Sequence, residues 1–172
     1  MPQGSAGSIN LSYAAGRLRW RGGETRAACG RGGVRREKRE GDGASPAGTF
    51  PLVAVYYRPD RLPRPRTSLP LVALQPEHGW VDASDDPNYN RLVTLPYSAS
   101  HEEMWRADAL YDVVVLIGYN TDPPHAGRGS AIFLHVAQAD FTPTAGCIAI
   151  SREALIGLLP SFGPRSRIAI SP

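Results

Sequence analysis

Apolar residues are concentrated in short runs along this chain, and two of the runs are almost uninterrupted. Residues 111–119 read YDVVVLIGY, and residues 131–136 read AIFLHV. A strand with one exposed face alternates apolar and polar residues, whereas a continuous apolar run is typical of a strand covered on both faces. We therefore predict that these two segments form the centre of a β-sheet.

The other strand candidates are shorter and alternate only loosely between apolar and polar residues. Glycines at Gly16 and at Gly22-Gly23 separate the first of them, which is typical of antiparallel strands joined by tight turns. The candidate segments are 9–20, 24–29, 50–57, 71–74, 80–82 and 167–171.

Two segments carry the signals of a helix N-terminus. Ser100 is followed by Glu103, the spacing of a reciprocal capping box, so we predict a short helix over residues 100–108. Ser151 precedes REALIGLLPSF and suits the N-cap of a second helix, which Pro160 ends or kinks.

Many short strands, frequent turn signals and few helices favour a mainly β fold, a sandwich or partial barrel of mixed strands. A length of 172 residues suits a single domain, residues 1–172. The proline-rich segment 58–70 is predicted to be a surface connection, because proline removes a ladder donor. Residues 30–50 are polar and glycine-rich, and loops this long inside a compact domain are usually functional.

Charge is distributed unevenly along the chain. The net charge is +3, yet residues 17–66 contain 13 Lys or Arg against 5 Asp or Glu. A basic front half suits an anionic polymer such as nucleic acid or cell wall. An arginine-biased genome explains the same composition, since Lys38 is the one lysine of the chain.

The apolar content is that of a protein without a membrane span. Hydrophobic residues make up 42% of the chain, but no uninterrupted apolar stretch approaches the roughly 18 residues that a span requires. Residues 1–20 lack the apolar core of a secretory signal. We therefore expect no membrane span and no conventional export signal.

The two cysteines do not form a disulfide framework or a metal-binding pattern. Neither C-x-x-C nor H-E-x-x-H occurs, so we expect no metal. A disulfide between Cys29 and Cys147, or simple burial of both, is the plainer interpretation of such a pair.

The sequence around Cys147 favours a different interpretation. His135 ends an apolar run, and Cys147 follows twelve residues later in a turn of small residues. An imidazole that takes the proton of a thiol generates the nucleophilic thiolate. Gly146 lets backbone amides approach a substrate carbonyl as an oxyanion hole.

Several segments resemble the L,D-transpeptidase catalytic domain family, also called the YkuD or ErfK-type domain. TAGCIAIS at residues 144–151 resembles the signature S/T-x-G-C-I/V-x-x-S, and IFLH precedes it where the family places its histidine. Upstream, SPAGTF at residues 45–50 resembles T/S-P-x-G-x-F. The phrases CGRGGV, WVDASDDPNYNR and LYDVVVLIGYN resemble the short, single-domain branch, so the resemblance spans about residues 9–170.

The resemblance implies a mostly β catalytic domain with Cys147 as nucleophile and His135 as general base. The amides of Gly146 and Cys147 would stabilise the oxyanion, and Thr144 would shape the loop. The chain departs from the familiar S-H-G-C-x-R form of the motif at Ala145 and Ala149.

The implied reaction acts on peptidoglycan stem peptides and needs no cofactor. The thiolate attacks the carbonyl between the third residue and the terminal D-alanine, D-alanine leaves, and a thioester remains. An amine of a second stem resolves it into a 3-to-3 cross-link, and carbapenems are the implied covalent inhibitors. The resemblance also implies a periplasmic or cell-envelope location.

Three further residues are candidates for substrate binding together with Thr144. His125 lies in a loop near the motif, Lys38 precedes the SPAG turn, and Tyr119 follows the longer apolar run. Solvation of the two charged or polar residues and burial of the tyrosine are the plainer alternatives.

Three functional alternatives remain open from the sequence. Water in place of the acceptor amine would make the protein an L,D-carboxypeptidase or amidase of the same fold. The basic front half is compatible with a non-catalytic cell-wall or anionic-polymer-binding module. A redox-sensing thiol would pair Cys29 with Cys147 under mild oxidation.

Overall fold

The computed structural model describes residues 8–172. The expectation that residues 1–20 contain no conventional export signal concerns in part residues 1–7, which lie outside the described residues. Residues 8–172 form fourteen strands, one α-helix and one 3-10 helix. These are β1 (Asn10–Ala14), β2 (Arg17–Trp20), β3 (Gly23–Ala28), β4 (Val34–Arg35), β5 (Ser45–Pro46), β6 (Gly48–Tyr57), β7 (Leu71–Ala73), β8 (His78–Val81), β9 (Leu92–Thr94), β10 (His101–Glu103), β11 (Val113–Ile117), β12 (Phe133–Val136), β13 (Ile148–Ile150), α1 (Arg152–Leu158), a 3-10 helix (Leu159–Ser161) and β14 (Arg167–Ile170).

The largest sheet closes on itself because the long strand β6 pairs with different partners along its length. Its strand order is β11-β12-β13-β3-β2-β1-β14-β6-β7, and β11 also pairs with β6. The first half of β6 is antiparallel to β14 and the second half to β11, with Val55 opposite Val115. The prediction of a mainly β partial barrel is confirmed.

Two smaller sheets complete the strand structure of the described residues. Strands β10, β8 and β9 form an antiparallel sheet in that order, and β4 pairs with β5 in parallel. Segment 30–50 is therefore a loop with two short strands that runs into β6 from Gly48, and the proline-rich segment 58–70 contains no strand, as predicted.

Two hydrophobic clusters lie on opposite faces of β12 and β13. Leu134 and Ile148 belong to the larger cluster, which also receives Leu155 of α1. Phe133 and Cys147 belong to the second cluster, which includes residues of the three-stranded sheet. Because strand side chains alternate between faces, the cysteine is directed away from the larger core.

The two continuous apolar runs form central strands, as predicted. Every residue of β11 and of β12 is buried. Strand β11 is bounded by β6 on one side and β12 on the other, so its backbone groups are paired on both edges. The candidates at residues 9–20, 24–29, 50–57 and 167–171 also form strands.

The predicted helix over residues 100–108 is wrong, and the helix after Ser151 is confirmed. His101–Glu103 is strand β10, paired with β8, and Met104 is fully buried. Strand pairing and burial here outweigh the local capping signal. Ser151 Oγ accepts a hydrogen bond from Ala154 N at 3.2 Å, which caps α1 as expected.

The two cysteines are free, so the interpretation as a disulfide is wrong. In the part of the chain that the structure describes, every helix is too short or too polar to cross a membrane.

Replacement of Leu155 tests the contact between α1 and the larger cluster. Leu155 is fully buried, so Leu155→Ala should lower the free energy of unfolding by about 2–5 kcal/mol through lost burial and a cavity. Chemical denaturation measures the change. Val53→Ala is the control, because Val53 is 37% exposed and its truncation should cost less than about 0.5 kcal/mol. Equal losses in the two variants would contradict this packing.

Candidate active site

A cleft of about 360 Å³ opens over the face of β12 and β13 that carries Cys147. Four parts of the chain line it: residues 31–43, Asp82 after β8, the segment from β10 to β11, and residues 130–149 of the β12–β13 region. His135 and Cys147 both line this cleft, together with Thr144, Ala145 and Ala149. The structure therefore brings the predicted nucleophile and base into one cavity.

The register of β12 and β13 places His135 and Cys147 on the same face. The two strands are parallel, and His135 lies opposite Ala149. Cys147 is two residues before Ala149, so its side chain leaves the chain on the face that His135 shares. The imidazole and the thiol are thus diagonal neighbours across the pair of strands.

The Cys147 thiol is buried and held by backbone groups. Its Sγ donates to Ala131 O at 3.1 Å and accepts from Phe133 N at 3.4 Å. Burial, together with the negative charge of Glu102, raises the pKa of Cys147 to about 12. The cysteine is therefore a neutral thiol at neutral pH.

The His135 imidazole is buried and has one defined tautomer. Its Nδ1 lies 2.9 Å from Val136 O, and a carbonyl only accepts, so Nδ1 carries the proton and Nε2 has the free lone pair. Burial lowers the pKa of His135 to about 4. The two pKa values make both groups neutral at pH 7. Among the hydrogen bonds of the described residues none joins His135 to Cys147.

Tyr111 holds one side of the imidazole. Its ring meets the His135 ring edge-on, with centroids 5.3 Å apart, and meets Phe133 in the same way at 5.8 Å. The Tyr111 hydroxyl donates to Glu102 Oε2 at 2.8 Å. The orientation of the base is therefore set by packing as well as by its backbone hydrogen bond.

Gly146 adopts a conformation that other residues rarely take. Its φ is +147°, and a Cβ atom there would lie 2.9 Å from Ala44 O. Its N–H donates to Thr144 Oγ1 at 3.1 Å, and Thr144 Oγ1 donates to Cys147 O at 2.7 Å. Thr144 thus braces the turn, and the oxyanion role of the Gly146 amide stays a prediction that requires this amide to exchange partners.

Ser45 anchors the turn from below, a role that sequence reasoning missed. It is fully buried, donates to Gly146 O at 2.7 Å and accepts from Gly30 N at 2.9 Å. Ser45 is the first residue of the SPAGTF segment, so the resemblance of this segment to the family motif is the sequence signal that could have identified it.

Carboxylates form another wall of the cleft, and sequence reasoning missed two of them, Asp82 and Glu102. Asp82, Glu102 and Glu40 line the cavity. Burial raises the pKa of Glu102, and Asp82 Oδ1 is buried without a hydrogen-bond partner among the described residues. The wrong helix prediction for residues 100–108 did not place Glu102 near Cys147.

Lys38 is buried, not solvated as the plainer alternative held. Its Nζ lies 2.9 Å from Asp42 Oδ1 and donates to Arg39 O at 3.2 Å. Its positive charge lowers the pKa of Cys147, opposing Glu102. Lys38 also packs against Gly129, where a Cβ atom would lie 2.8 Å from Lys38 Cε.

The remaining candidates line a second groove of about 920 Å³ next to the cleft. Tyr119 and His125 line this groove, and Lys38 lines both cavities. Thr144 lines the cleft alone. In residues 8–172 no group of three or more His, Cys, Asp or Glu side chains is arranged to hold a metal ion.

The charge of Glu102 should control the reactivity of Cys147. Glu102→Gln removes a negative charge that raises the thiol pKa, so the thiolate fraction at a fixed pH should increase. We expect alkylation by iodoacetamide to be about twofold to tenfold faster, since one pKa unit changes the thiolate fraction tenfold. Rates measured from pH 6 to pH 9 should rise with pH in both proteins.

Glu103→Gln is the matched control for this charge. Glu103 follows Glu102 in β10 but is exposed, outside the cleft lining. Its replacement should leave the alkylation rate unchanged. The same acceleration in both variants would contradict a specific effect of Glu102.

Gly146→Ala tests the turn. An added Cβ meets Ala44 O in a backbone conformation unfavourable to L-residues, so the variant should be less stable by about 1–3 kcal/mol. Gly157→Ala is the control: Gly157 lies in α1 with open space around its Cβ position, and alanine there should stabilise by up to about 1 kcal/mol. Thermal unfolding measures both, and an undiminished Tm for Gly146→Ala would contradict the tight turn.

A comparison with family models bears out the resemblance seen in the sequence. The model of the L,D-transpeptidase catalytic domain, YkuD, matches residues 6–170, essentially the whole chain. Comparisons with curated proteins and with solved structures gave no match. The chain therefore belongs to the L,D-transpeptidase catalytic domain family.

Proposed function

We propose that this protein is a cysteine acyltransferase that forms 3-to-3 cross-links between peptidoglycan stem peptides. The observation that carries the proposal is the shared cleft of Cys147 and a His135 whose Nε2 is free to accept a proton. A nucleophile and a base on one face of two adjacent strands are the minimum that acyl transfer through a thioester requires.

The first half of the reaction forms the acyl-enzyme. His135 Nε2 takes the thiol proton of Cys147 as Sγ attacks the carbonyl carbon between the third residue and the terminal D-alanine. Backbone amides at residues 146 and 147 stabilise the oxyanion. The tetrahedral adduct then expels the amine of D-alanine, which receives the proton from His135, and a thioester remains.

The second half transfers the acyl group to an amine. The side-chain amine of a second stem attacks the thioester carbonyl and gives a proton to His135. Collapse of the adduct breaks the carbon–sulfur bond, and the thiolate recovers its proton from His135. No cofactor takes part, because the acyl group changes partner without any change in oxidation state.

The electrostatics of the cleft support substrate-dependent activation. The high pKa of the thiol and the low pKa of the imidazole, both caused by burial, oppose proton transfer before substrate binds. An ammonium group of the substrate near Glu102 would neutralise the charge that raises the thiol pKa. Lys38 already acts in that direction from the other wall.

Hydrolysis is the second candidate outcome of the same chemistry. Water in place of the amine would release the acyl group as a carboxylic acid, making the protein an L,D-carboxypeptidase. The carboxylates of the cleft wall favour an amine acceptor, because they attract a cation that water does not carry.

Mass spectrometry after incubation with a carbapenem tests the nucleophile. We expect a covalent adduct of one inhibitor on Cys147, absent in Cys147→Ala. Cys29→Ala is the matched control and should retain the adduct, since Cys29 is not among the residues that line the cleft. His135→Gln should slow acylation by about 10²–10⁴-fold. An adduct on Cys29, or one that survives Cys147→Ala, would contradict the proposal.

Product analysis separates transferase from hydrolase. A tetrapeptide stem is incubated with and without a second stem that carries the free side-chain amine. A cross-linked dimer in the first incubation supports transpeptidation, whereas the same tripeptide acid from both incubations would assign the protein as a carboxypeptidase.

A further inference from the structure

The second groove is built from two loops that flank the catalytic cleft. One wall comes from residues 36–39 and the other from residues 118–128, with Pro51 between them. Lys38 lines both the groove and the cleft, so the two cavities adjoin at this side chain. An extended peptide bound at Cys147 would pass Lys38 to reach the groove.

Arginine side chains give the groove its chemical character. Arg36, Arg39 and Arg128 line it and are exposed. Among the described residues none of these three guanidinium groups has an ion pair or a hydrogen bond. Arg58 and Arg61, by contrast, pair with Asp60 and Asp112. Glu37 and Asp122 also line the groove, but neither forms an ion pair with these three arginines among the described residues.

Hydrogen bonds within the chain hold the walls of the groove in place. Asn120 has a φ of +51°, and its Nδ2 donates to His125 O at 3.0 Å and to Gly129 O at 2.9 Å. Asn90 Nδ2 donates to Asn120 O at 2.6 Å. Glu40 N donates to Gly127 O at 2.8 Å and ties the two loops together. The guanidinium groups therefore stand on a preformed frame, which reduces the entropic cost of binding.

We infer that this groove binds the carboxylate-bearing part of a peptidoglycan stem peptide through Arg36, Arg39 and Arg128. The inference rests on the proposed function, because it assigns the groove to the substrate whose carbonyl reacts at Cys147. Guanidinium groups bind carboxylates by paired, charge-assisted hydrogen bonds, and three such groups without partners in one groove suit a ligand with more than one carboxylate.

The proposal separates the roles of the two cavities by charge. The cleft has balanced charge, with Glu40, Asp82 and Glu102 against Arg31, Lys38 and Arg106, and its carboxylates are the groups that attract a substrate amine. The groove, with its free arginines, is the side that attracts substrate carboxylates. A stem peptide carries both kinds of group, so the arrangement orients it along the path from groove to cleft.

The test measures peptide binding to the full chain carrying Cys147→Ala, which prevents turnover. The probes are a synthetic stem tetrapeptide with free carboxylates and the same peptide with every carboxylate amidated. We expect the free acid to bind at least about tenfold more tightly. The triple variant Arg36→Gln/Arg39→Gln/Arg128→Gln should lose this preference and bind both peptides alike.

A charge-matched triple variant controls for the loss of three positive charges. Arg64→Gln/Arg66→Gln/Arg165→Gln removes three exposed arginines that do not line the groove, and it should keep the tenfold preference. Equal losses in the two triple variants would overturn the inference in favour of general electrostatic attraction. Arg39→Gln alone, with partial loss expected, keeps the test valid if the groove triple variant does not fold.

Failure of this inference is distinguishable from failure of the proposed function. One combination of results is that carbapenem acylates Cys147 in the groove triple variant and that the triple variant still prefers the free acid. This combination would overturn the assignment of the groove and leave the catalytic proposal intact. Arginine-dependent peptide binding without any acylation of Cys147 would retain the groove and overturn the catalytic proposal.

Discussion

The parallel pairing of β12 with β13 is the constraint on which the rest of the site depends. It places His135 and Cys147 on one face of the sheet, while Leu134 and Ile148 hold the other face in the larger core. Two residues that are twelve apart in the sequence and separated by a largely exposed loop thus acquire fixed positions from strand register. The barrel supplies rigidity, and Ser45 beneath the turn extends that rigidity to the nucleophile.

Burial of the reactive pair has two opposite consequences. It excludes water, which strengthens every electrostatic interaction inside the cleft. It also disfavours the charged forms, so the thiol and the imidazole rest in their neutral states. Glu102 and Lys38 act on the thiol with opposite signs, and charge brought by a substrate shifts the balance between them. Under the proposed function, the reactivity of Cys147 depends on bound substrate, which would protect the cysteine from unproductive chemistry.

Sequence reasoning reached the central strands and the meeting of His135 with Cys147 in one cleft because their signals are local. Continuous apolar runs identify β11 and β12, and a histidine at one strand's end before a Gly-Cys turn identifies the pair. It failed at residues 100–108, where the capping signal of Ser100 is real but the pairing of β10 with β8 is a long-range interaction. Glu102 and Ser45 escaped for the same reason, since their roles exist only through partners distant in sequence.

The charge state of His135 tests the account most directly. Titration of the full chain, followed by NMR of the imidazole protons, reports the pKa of His135 in the absence of substrate. Activation by substrate predicts a His135 pKa well below 6.5. At pH 7 the imidazole is then neutral with its proton on Nδ1, and Cys147 is a neutral thiol. The contradicting result is a His135 pKa above 6.5 that falls below 6.5 in Cys147→Ala. It would reveal a preformed ion pair between the His135 imidazolium and the Cys147 thiolate and would contradict activation by substrate.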